Sequence, residues 1–98
     1  MPVLVYDLQI DEWNEAEAGR HHVTAREMRQ VLDNDPVFLP NKKRHKATLV
    51  MIGPTYGGRL LTIPLAATDV AGVWRPATAW EAEPEERGKY RAAGGGRQ

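Results

Sequence analysis

The stretch that decides the fold is residues 47–67, which read ATLVMIGPTYGGRLLTIPLAA. Two apolar runs rich in β-forming residues, 47–53 and 59–67, flank the turn sequence PTYGG. Because a Gly-rich turn between two such runs is typical of a β-hairpin, the stretch predicts a pair of antiparallel strands. Pro64 cannot donate a ladder hydrogen bond, so we expect a bulge or a sheet edge there. Residues 71–80, AGVWRPATAW, predict a third strand of the same meander.

Helix signals stand on both sides of this meander. Asp11 is a good N-cap for a short helix over residues 12–19, in which Trp13 belongs to a thin apolar stripe. Thr24 and Glu27 form a capping box that begins a second helix. Helical spacing of apolar residues then continues through Met28, Val31 and Leu32. A proline in an acidic first turn, within Glu83-Pro84-Glu85-Glu86, predicts a third short helix that runs through Tyr90.

The remaining segments complete an α+β pattern. Residues 3–9 predict a strand ahead of the helices, and residues 37–46 predict a loop or an irregular edge strand. The order is therefore a strand, two helices, an antiparallel meander and a short C-terminal helix, with the helices on one face of the sheet. With 98 residues we expect one domain over residues 1–92, followed by a disordered tail over 93–98.

Composition excludes several classes of protein. The chain has no cysteine, which excludes disulfide scaffolds, zinc knuckles and thiol chemistry. It has no apolar run of bilayer length, and its first residues lack the basic start of a signal peptide. These features predict a soluble, cytoplasmic protein that makes no contact with a membrane.

The formal net charge is zero, but the charges are segregated along the chain. Residues 1–19 hold five acidic residues and no Lys or Arg, whereas residues 20–59 hold eight basic and three acidic residues. All three histidines fall in the basic block. Because local potential governs anion binding, this distribution is compatible with an anion-binding surface despite the neutral total.

Two arginines lie at or inside the predicted strands, Arg59 and Arg75. A guanidinium that leaves water costs free energy unless an anion meets it. In a chain of this size the anion is either an internal carboxylate or a ligand such as phosphate, and the sequence leaves both open.

An ordered series of residues resembles a known family. The series comprises Trp13-Asn14, His21-His22-Val23-Thr24 with Glu27, Asp35-Pro36, Gly53 with Gly57-Gly58-Arg59, Arg75-Pro-Ala-Thr-Ala, and Glu86-Arg87 with Tyr90. It is similar to the BrnT-like branch of the RelE/ParE toxin superfamily, and the similarity covers residues 5 to 91. The chain departs from the pattern at His22, where the family usually has glycine, and at Trp80, where it usually has arginine.

The resemblance implies a small α+β toxin of a bacterial type II toxin–antitoxin system. Such a toxin cleaves messenger RNA without a metal or another cofactor and thereby inhibits translation. It also implies a cognate antitoxin, typically a DNA-binding protein, so that the toxin contacts operator DNA only within the antitoxin complex.

RNA cleavage without a metal needs a base, an acid and cations that meet the phosphate charge. Histidine is the side chain that titrates near neutral pH, and two arginines on neighbouring strands have the geometry to share one phosphate. The candidate catalytic residues are His21, His45, Arg59, Arg75 and Tyr90. The candidate RNA-binding residues are Lys42, Lys43, Arg44, Lys46 and Trp80.

Each candidate also has a structural interpretation. His21 is placed to cap a helix end or to lie in solvent, Arg59 to set the hairpin register, and Arg75 to pair with Glu81 or Asp7. The sequence NKKRHK is by default a solvated loop, and Tyr90 and the three tryptophans are typical core or interface residues. The alternative function is therefore a catalytically inactive toxin-like module that binds an antitoxin and acts as a co-repressor, which Trp80 in place of arginine favours.

Overall fold

The computed structural model describes residues 4–41 and 47–96, and within these ranges the chain is a mixed α+β structure of three helices and six strands. The helices are α1 (Glu12–Gly19), α2 (Ala25–Asp33) and α3 (Pro84–Ala92). The strands are β1 (Asp7–Leu8), β2 (Val37–Pro40), β3 (Leu49–Pro54), β4 (Leu60–Ala67), β5 (Val73–Pro76) and β6 (Trp80–Glu81). The predicted fold class is confirmed at this level.

The predicted hairpin forms the centre of the sheet. Strands β3 and β4 pair antiparallel from Leu49 opposite Leu65 to Pro54 opposite Leu60. The turn between them closes through a hydrogen bond from the Thr55 N–H to the Arg59 carbonyl, 2.9 Å long. Gly58 has a φ of +89°, a left-handed conformation that glycine adopts without a steric cost. The second glycine of the turn sequence is therefore required by the turn itself.

The sheet continues outward in the order β1-β5-β4-β3-β2, with β6 also paired to β4. All pairs are antiparallel except β1 with β5, which is parallel. The predicted third strand, 71–80, is divided into β5 and β6. Pro76 lies opposite Leu65 and Trp80 lies opposite Thr62, so this segment advances four residues while β4 advances three, and the one extra residue forms a β-bulge. This bulge faces Pro64, whose carbonyl accepts from the Ala77 N–H at 2.9 Å. The bulge expected at Pro64 is found in the strand segment opposite it. Proline has no N–H to donate to that segment, and the pairing is interrupted there while β4 itself runs on.

The two faces of the sheet carry different helices. Helices α1 and α2 pack on one face, where Met28 and Val31 join Met51, Leu61 and Ile63 in the main core. Successive residues of a strand point to opposite faces, so Ile52 faces the other side, where it packs with Tyr90 of α3. The prediction that all helices cover one face is therefore wrong for α3.

The helix starts follow the predicted caps. The Asp11 carboxylate accepts from the backbone N–H groups of Trp13 and Asn14, at 2.9 and 3.0 Å. Thr24 and Glu27 make the reciprocal bonds of a capping box, each 3.1 Å long. Both predicted helix starts are confirmed.

Helix α1 buries a different residue from the one predicted. Trp13 is 79% exposed, whereas its neighbour Asn14 is buried. The Asn14 amide donates to the Gln9 carbonyl at 2.9 Å, and its oxygen accepts from the Asp11 N–H at 2.8 Å. The buried Asn14 side chain is therefore held by backbone groups on both sides, whereas the Trp13 side chain lies in the solvent.

The strand predicted over residues 3–9 is reduced to Asp7–Leu8 within the described part of the chain. Of the segment 37–46, for which the sequence predicts a loop or an irregular edge strand, residues 37–40 form an edge strand that pairs regularly with β3. No helix among the described residues has the length and the apolarity needed to cross a lipid bilayer.

Candidate functional site

Three of the predicted site residues meet where β6 pairs with the first half of β4. We call this place the β6 margin; it comprises Arg59, Trp80, Glu81 and the adjoining turn His21-His22. Trp80 lies opposite Thr62 and Glu81 opposite Leu61, so the register brings β6 beside the start of β4. The turn between α1 and α2 lies against this edge, on the side of the sheet where these two helices pack.

Arg59 connects the parts of the β6 margin. Its Nη1 donates to the His22 carbonyl at 2.7 Å and to the Glu27 carboxylate at 3.2 Å. Its Nη2 donates to the His21 carbonyl at 3.4 Å, and its Nε donates to Glu81 at 3.2 Å. The side chain is 28% exposed, so these contacts are partly shielded from water. The guanidinium is therefore held by two carboxylates and two carbonyls from three separate segments.

The pKa of Glu27 reflects this contact. Partial burial pushes the pKa upward, but hydrogen bonds from the Thr24 backbone and from the Arg59 guanidinium outweigh it and hold the pKa below its usual value of 4.5. Glu27 is thus ionised at neutral pH and serves both as a helix cap and as an anchor for Arg59.

The ring of His21 lies against Trp80. Their ring centroids are 6.3 Å apart and the planes make an angle of 67°, an edge-on arrangement. The Trp80 indole Nε1–H donates to both oxygens of Glu86, at 3.0 and 3.2 Å. Thr62 also donates to Glu86, at 3.0 Å, and thereby holds in place the carboxylate that accepts from the indole. His21 is exposed, and the arrangement thus presents an imidazole to solvent beside an immobilised aromatic ring.

A groove of about 870 Å³ begins at Trp80 and Glu86 and runs along the sheet face that carries α3. Its floor is apolar, with Val50, Ile52 and Pro64 among the lining residues. Thr78 also lines it, and the Thr78 hydroxyl is buried without a hydrogen-bond partner among the described residues. The volume falls in the range of small-ligand sites, about 300–1,000 Å³.

Arg75 lies elsewhere. It is opposite Ala66, seven residues along β4 from Arg59, which corresponds to about 23 Å of strand. Its guanidinium pairs with the Asp11 carboxylate. The hydrogen bond from Arg75, together with those from the Asn14 and Trp13 backbone, lowers the pKa of Asp11. The expectation that Arg59 and Arg75 share one phosphate is therefore wrong; internal carboxylates meet both, and the partner of Arg75 is neither Glu81 nor Asp7.

Tyr90 is 8% exposed and packs in the second core cluster with Ile52, Leu60 and Ala82. Its hydroxyl accepts a hydrogen bond from the Gly96 N–H at 3.0 Å, and the Gly95 N–H donates to the Tyr90 carbonyl at 2.8 Å. Tyr90 is thus buried against the sheet and is placed to anchor residues 95–96 on α3.

The other predicted residues fall outside the described part of the chain. These are the catalytic candidate His45 and the RNA-binding candidates Lys42, Lys43, Arg44 and Lys46. Within residues 4–41 and 47–96, no group of three or more His, Asp or Glu side chains is arranged to hold a metal ion.

Sequence reasoning missed the role of three glutamates: Glu81, which belongs to the β6 margin, and Glu27 and Glu86, which contact it. Glu27 and Glu86 are visible in the sequence as helix-start residues, and the structure gives each a second partner from the sheet region: Arg59, directly before β4, for Glu27 and Trp80 of β6 for Glu86. A carboxylate three residues after a cap is fixed in place, which makes it a ready acceptor for a distant donor. That signal indicates a rigid acceptor but does not name the donor.

Comparison with known proteins adds no family: no protein-family model matches the chain, and no curated protein matches it.

Proposed function

We propose that this chain is a toxin-like protein of the BrnT-like branch of the RelE/ParE superfamily, and that it cleaves RNA at the β6 margin. The observation that carries the proposal is the exposed His21 imidazole, 6.3 Å from the Trp80 ring, beside a groove that accommodates a nucleobase. The element order supports the family, since two helices precede an antiparallel sheet and a short helix follows it.

The residues divide the chemistry as follows. RNA recognition relies on unstacked bases that pack against aromatic side chains, which is the role of Trp80 and the adjoining groove. His21 accepts the proton of a ribose 2′-hydroxyl; the O2′–P bond then forms as the P–O5′ bond breaks, and the leaving oxygen takes a proton from water.

The phosphate charge needs a cation other than Arg59, whose Nε and Nη1 donors already meet internal acceptors and whose charge faces two carboxylates. Arg20 precedes His21, and its side chain is 74% exposed. Its ion pair with Glu17 is a solvent-exposed i,i+3 contact at 3.2 Å, which contributes little to stability. A substrate phosphate can therefore replace Glu17 as the partner of Arg20.

The direct test is cleavage of single-stranded RNA by the purified protein in the presence of a chelator. His21→Asn is expected to lower the rate about 10²–10⁴-fold, because it removes the proton acceptor. His22→Asn is the matched control: His22 has a φ of +62°, which asparagine tolerates, and its ring is not part of the contact with Trp80. RNA left intact by the wild-type protein would refute the nuclease.

The second candidate is the inactive binding module, a partner of an antitoxin that acts as a co-repressor. Three observations favour it: Arg59 and Arg75 are both paired with carboxylates, Tyr90 is buried, and Trp80 replaces the family arginine. Purified protein that binds the product of a neighbouring reading frame, and shifts operator DNA only with it, while leaving RNA intact, would select this candidate. Growth arrest on expression, relieved by the same neighbouring product, would select the nuclease when RNA is also cut.

A further inference from the structure

The contacts of Arg59 point to a role that neither a phosphate site nor a hairpin register explains. We propose that Arg59 is a positioning residue that holds the His21 ring against Trp80, so that the imidazole is presented to the substrate in one place. This inference rests on the proposed function of the β6 margin. It assigns Arg59 to the support of the site and not to contact with the substrate.

The turn that carries His21 is tight and needs an external support. The N–H groups of His21 and Val23 both return to the Ala18 carbonyl, each at 3.0 Å. His22 has a φ of +62°, a left-handed conformation that is uncommon for a residue with a side chain. With the N–H groups directed into α1, the carbonyls of His21 and His22 receive their donors from Arg59. Arg59, the residue directly before β4, thus fixes this turn to the sheet.

The same guanidinium reaches β6, which carries the other ring. Its Nε–H donates to Glu81, the residue after Trp80. One planar group therefore fixes the backbone of His21 on one side and the strand of Trp80 on the other. The contact between the two rings follows from this common support.

A phosphate is a poor competitor for this guanidinium. Its fork already meets Glu27 and Glu81, at 3.2 Å each, and the two carboxylates repel a further anion. Lysine cannot replace it, because an ammonium lacks the planar fork that reaches three segments at once.

The experiment compares Arg59→Gln and Arg59→Lys with the matched control Arg87→Gln. Arg87 also pairs with Glu81, at 3.6 Å, and its Nε donates to the Ala82 carbonyl, so the control removes a guanidinium from the same carboxylate without touching the His21 turn. The readout is the nuclear Overhauser effect between His21 ring protons and Trp80 indole protons. We expect it in the wild type and in Arg87→Gln, and we expect its loss in both Arg59 variants while the amide spectrum stays dispersed.

If Arg59→Gln fails to fold, Arg59→Lys decides, because it keeps the charge and the aliphatic stem. An unchanged contact between the rings in a folded Arg59→Lys protein would overturn the proposal. RNA kinetics give a second readout: a positioning role lowers kcat at an almost constant KM, whereas a phosphate contact raises KM, and a raised KM alone would also overturn it. The ring contact is measured without RNA. A wild-type protein that shows the contact and its dependence on Arg59 but cuts no RNA would therefore refute the nuclease and leave the positioning role supported.

Discussion

Gly53 is a glycine of β3 where an added side chain would meet the backbone of another segment, and Gly53→Ala tests this. A methyl group there would lie 2.9 Å from Cβ and 3.0 Å from Cα of Pro36, and 3.2 Å from Cγ1 of Val31. Carbon atoms pack best at about 3.5–4.0 Å, and the Pro36 contacts are to a ring and to the backbone, which cannot rotate away. The end of α2 must therefore move off strand β3. Overpacking of this kind costs about 1–3 kcal/mol, against about 0.5–1 kcal/mol regained because alanine orders more readily than glycine. The middle of the first range less the middle of the second gives an expected net loss of about 1 kcal/mol.

The matched control is Gly88→Ala on the exposed face of α3, where an added methyl group meets nothing within 4 Å. Removing a helix-interior glycine should stabilise the protein by about 0.5–1 kcal/mol. Both substitutions add the same methyl group, so any difference between them comes from its surroundings. Thermal and urea unfolding should therefore show a less stable Gly53→Ala protein and a more stable Gly88→Ala protein. Each kcal/mol corresponds to about 4–8 °C in Tm for a domain of this size. A Gly53→Ala protein that melts at or above the wild-type temperature would show that α2 and Pro36 do not approach β3 as closely as described.

Three further predictions follow from burial and charge. Trp13→Ala should change the free energy of unfolding by no more than about 0.5 kcal/mol, because the ring is 79% exposed. Trp74→Ala removes a ring that packs on the main core and should cost at least about 2 kcal/mol, both measured by urea unfolding. Tyr90→Phe should cost about 0.5–1.5 kcal/mol, since it deletes the acceptor of the Gly96 N–H and keeps the buried ring; an unchanged urea midpoint would count against that hydrogen bond. The folded pKa of Glu27 lies below 4.5, so the stability that its ionised form contributes is present above that pH and is lost as the pH falls through the folded pKa. The difference in the free energy of unfolding between wild type and Glu27→Gln, measured with urea across this range, should therefore shrink on acidification. A constant difference would contradict the assignment.

The local features of the fold were predictable because their causes are local. The hairpin of β3 and β4 follows from two apolar runs and a Gly-rich turn, and the starts of α1 and α2 follow from Asp11 and Thr24. In each case a few neighbouring residues satisfy one another's backbone groups, so the sequence alone contains the interaction.

The errors concern partners that lie outside the helix or strand whose pattern was analysed. A helical stripe predicts that an apolar residue of α1 is buried, but the choice between Trp13 and Asn14 depends on the loop carbonyl of Gln9, which Asn14 reaches. Likewise, the sequence shows that Arg59 needs an anion without showing that Glu27, 32 residues away, supplies it. Such choices depend on tertiary distances that no spacing rule encodes.

The separation of the two strand arginines shows how register decides a site. In an antiparallel pair the start of one strand meets the end of the other, so the residues beside Arg59 come from the end of the segment that contains β5 and β6. That end is Trp80 and Glu81, whereas Arg75 pairs near the far end of β4. The family resemblance implies an arginine at position 80, which lies opposite Thr62 and directly before Glu81, the partner of Arg59, and whose side chain in this chain bonds to Glu86. The second cation of the expected pair would therefore stand at the β6 margin, and in this chain an indole bonded to Glu86 occupies its place. The RNA cleavage proposed for this edge would consequently rely on His21, whose turn is held by the Arg59 contacts.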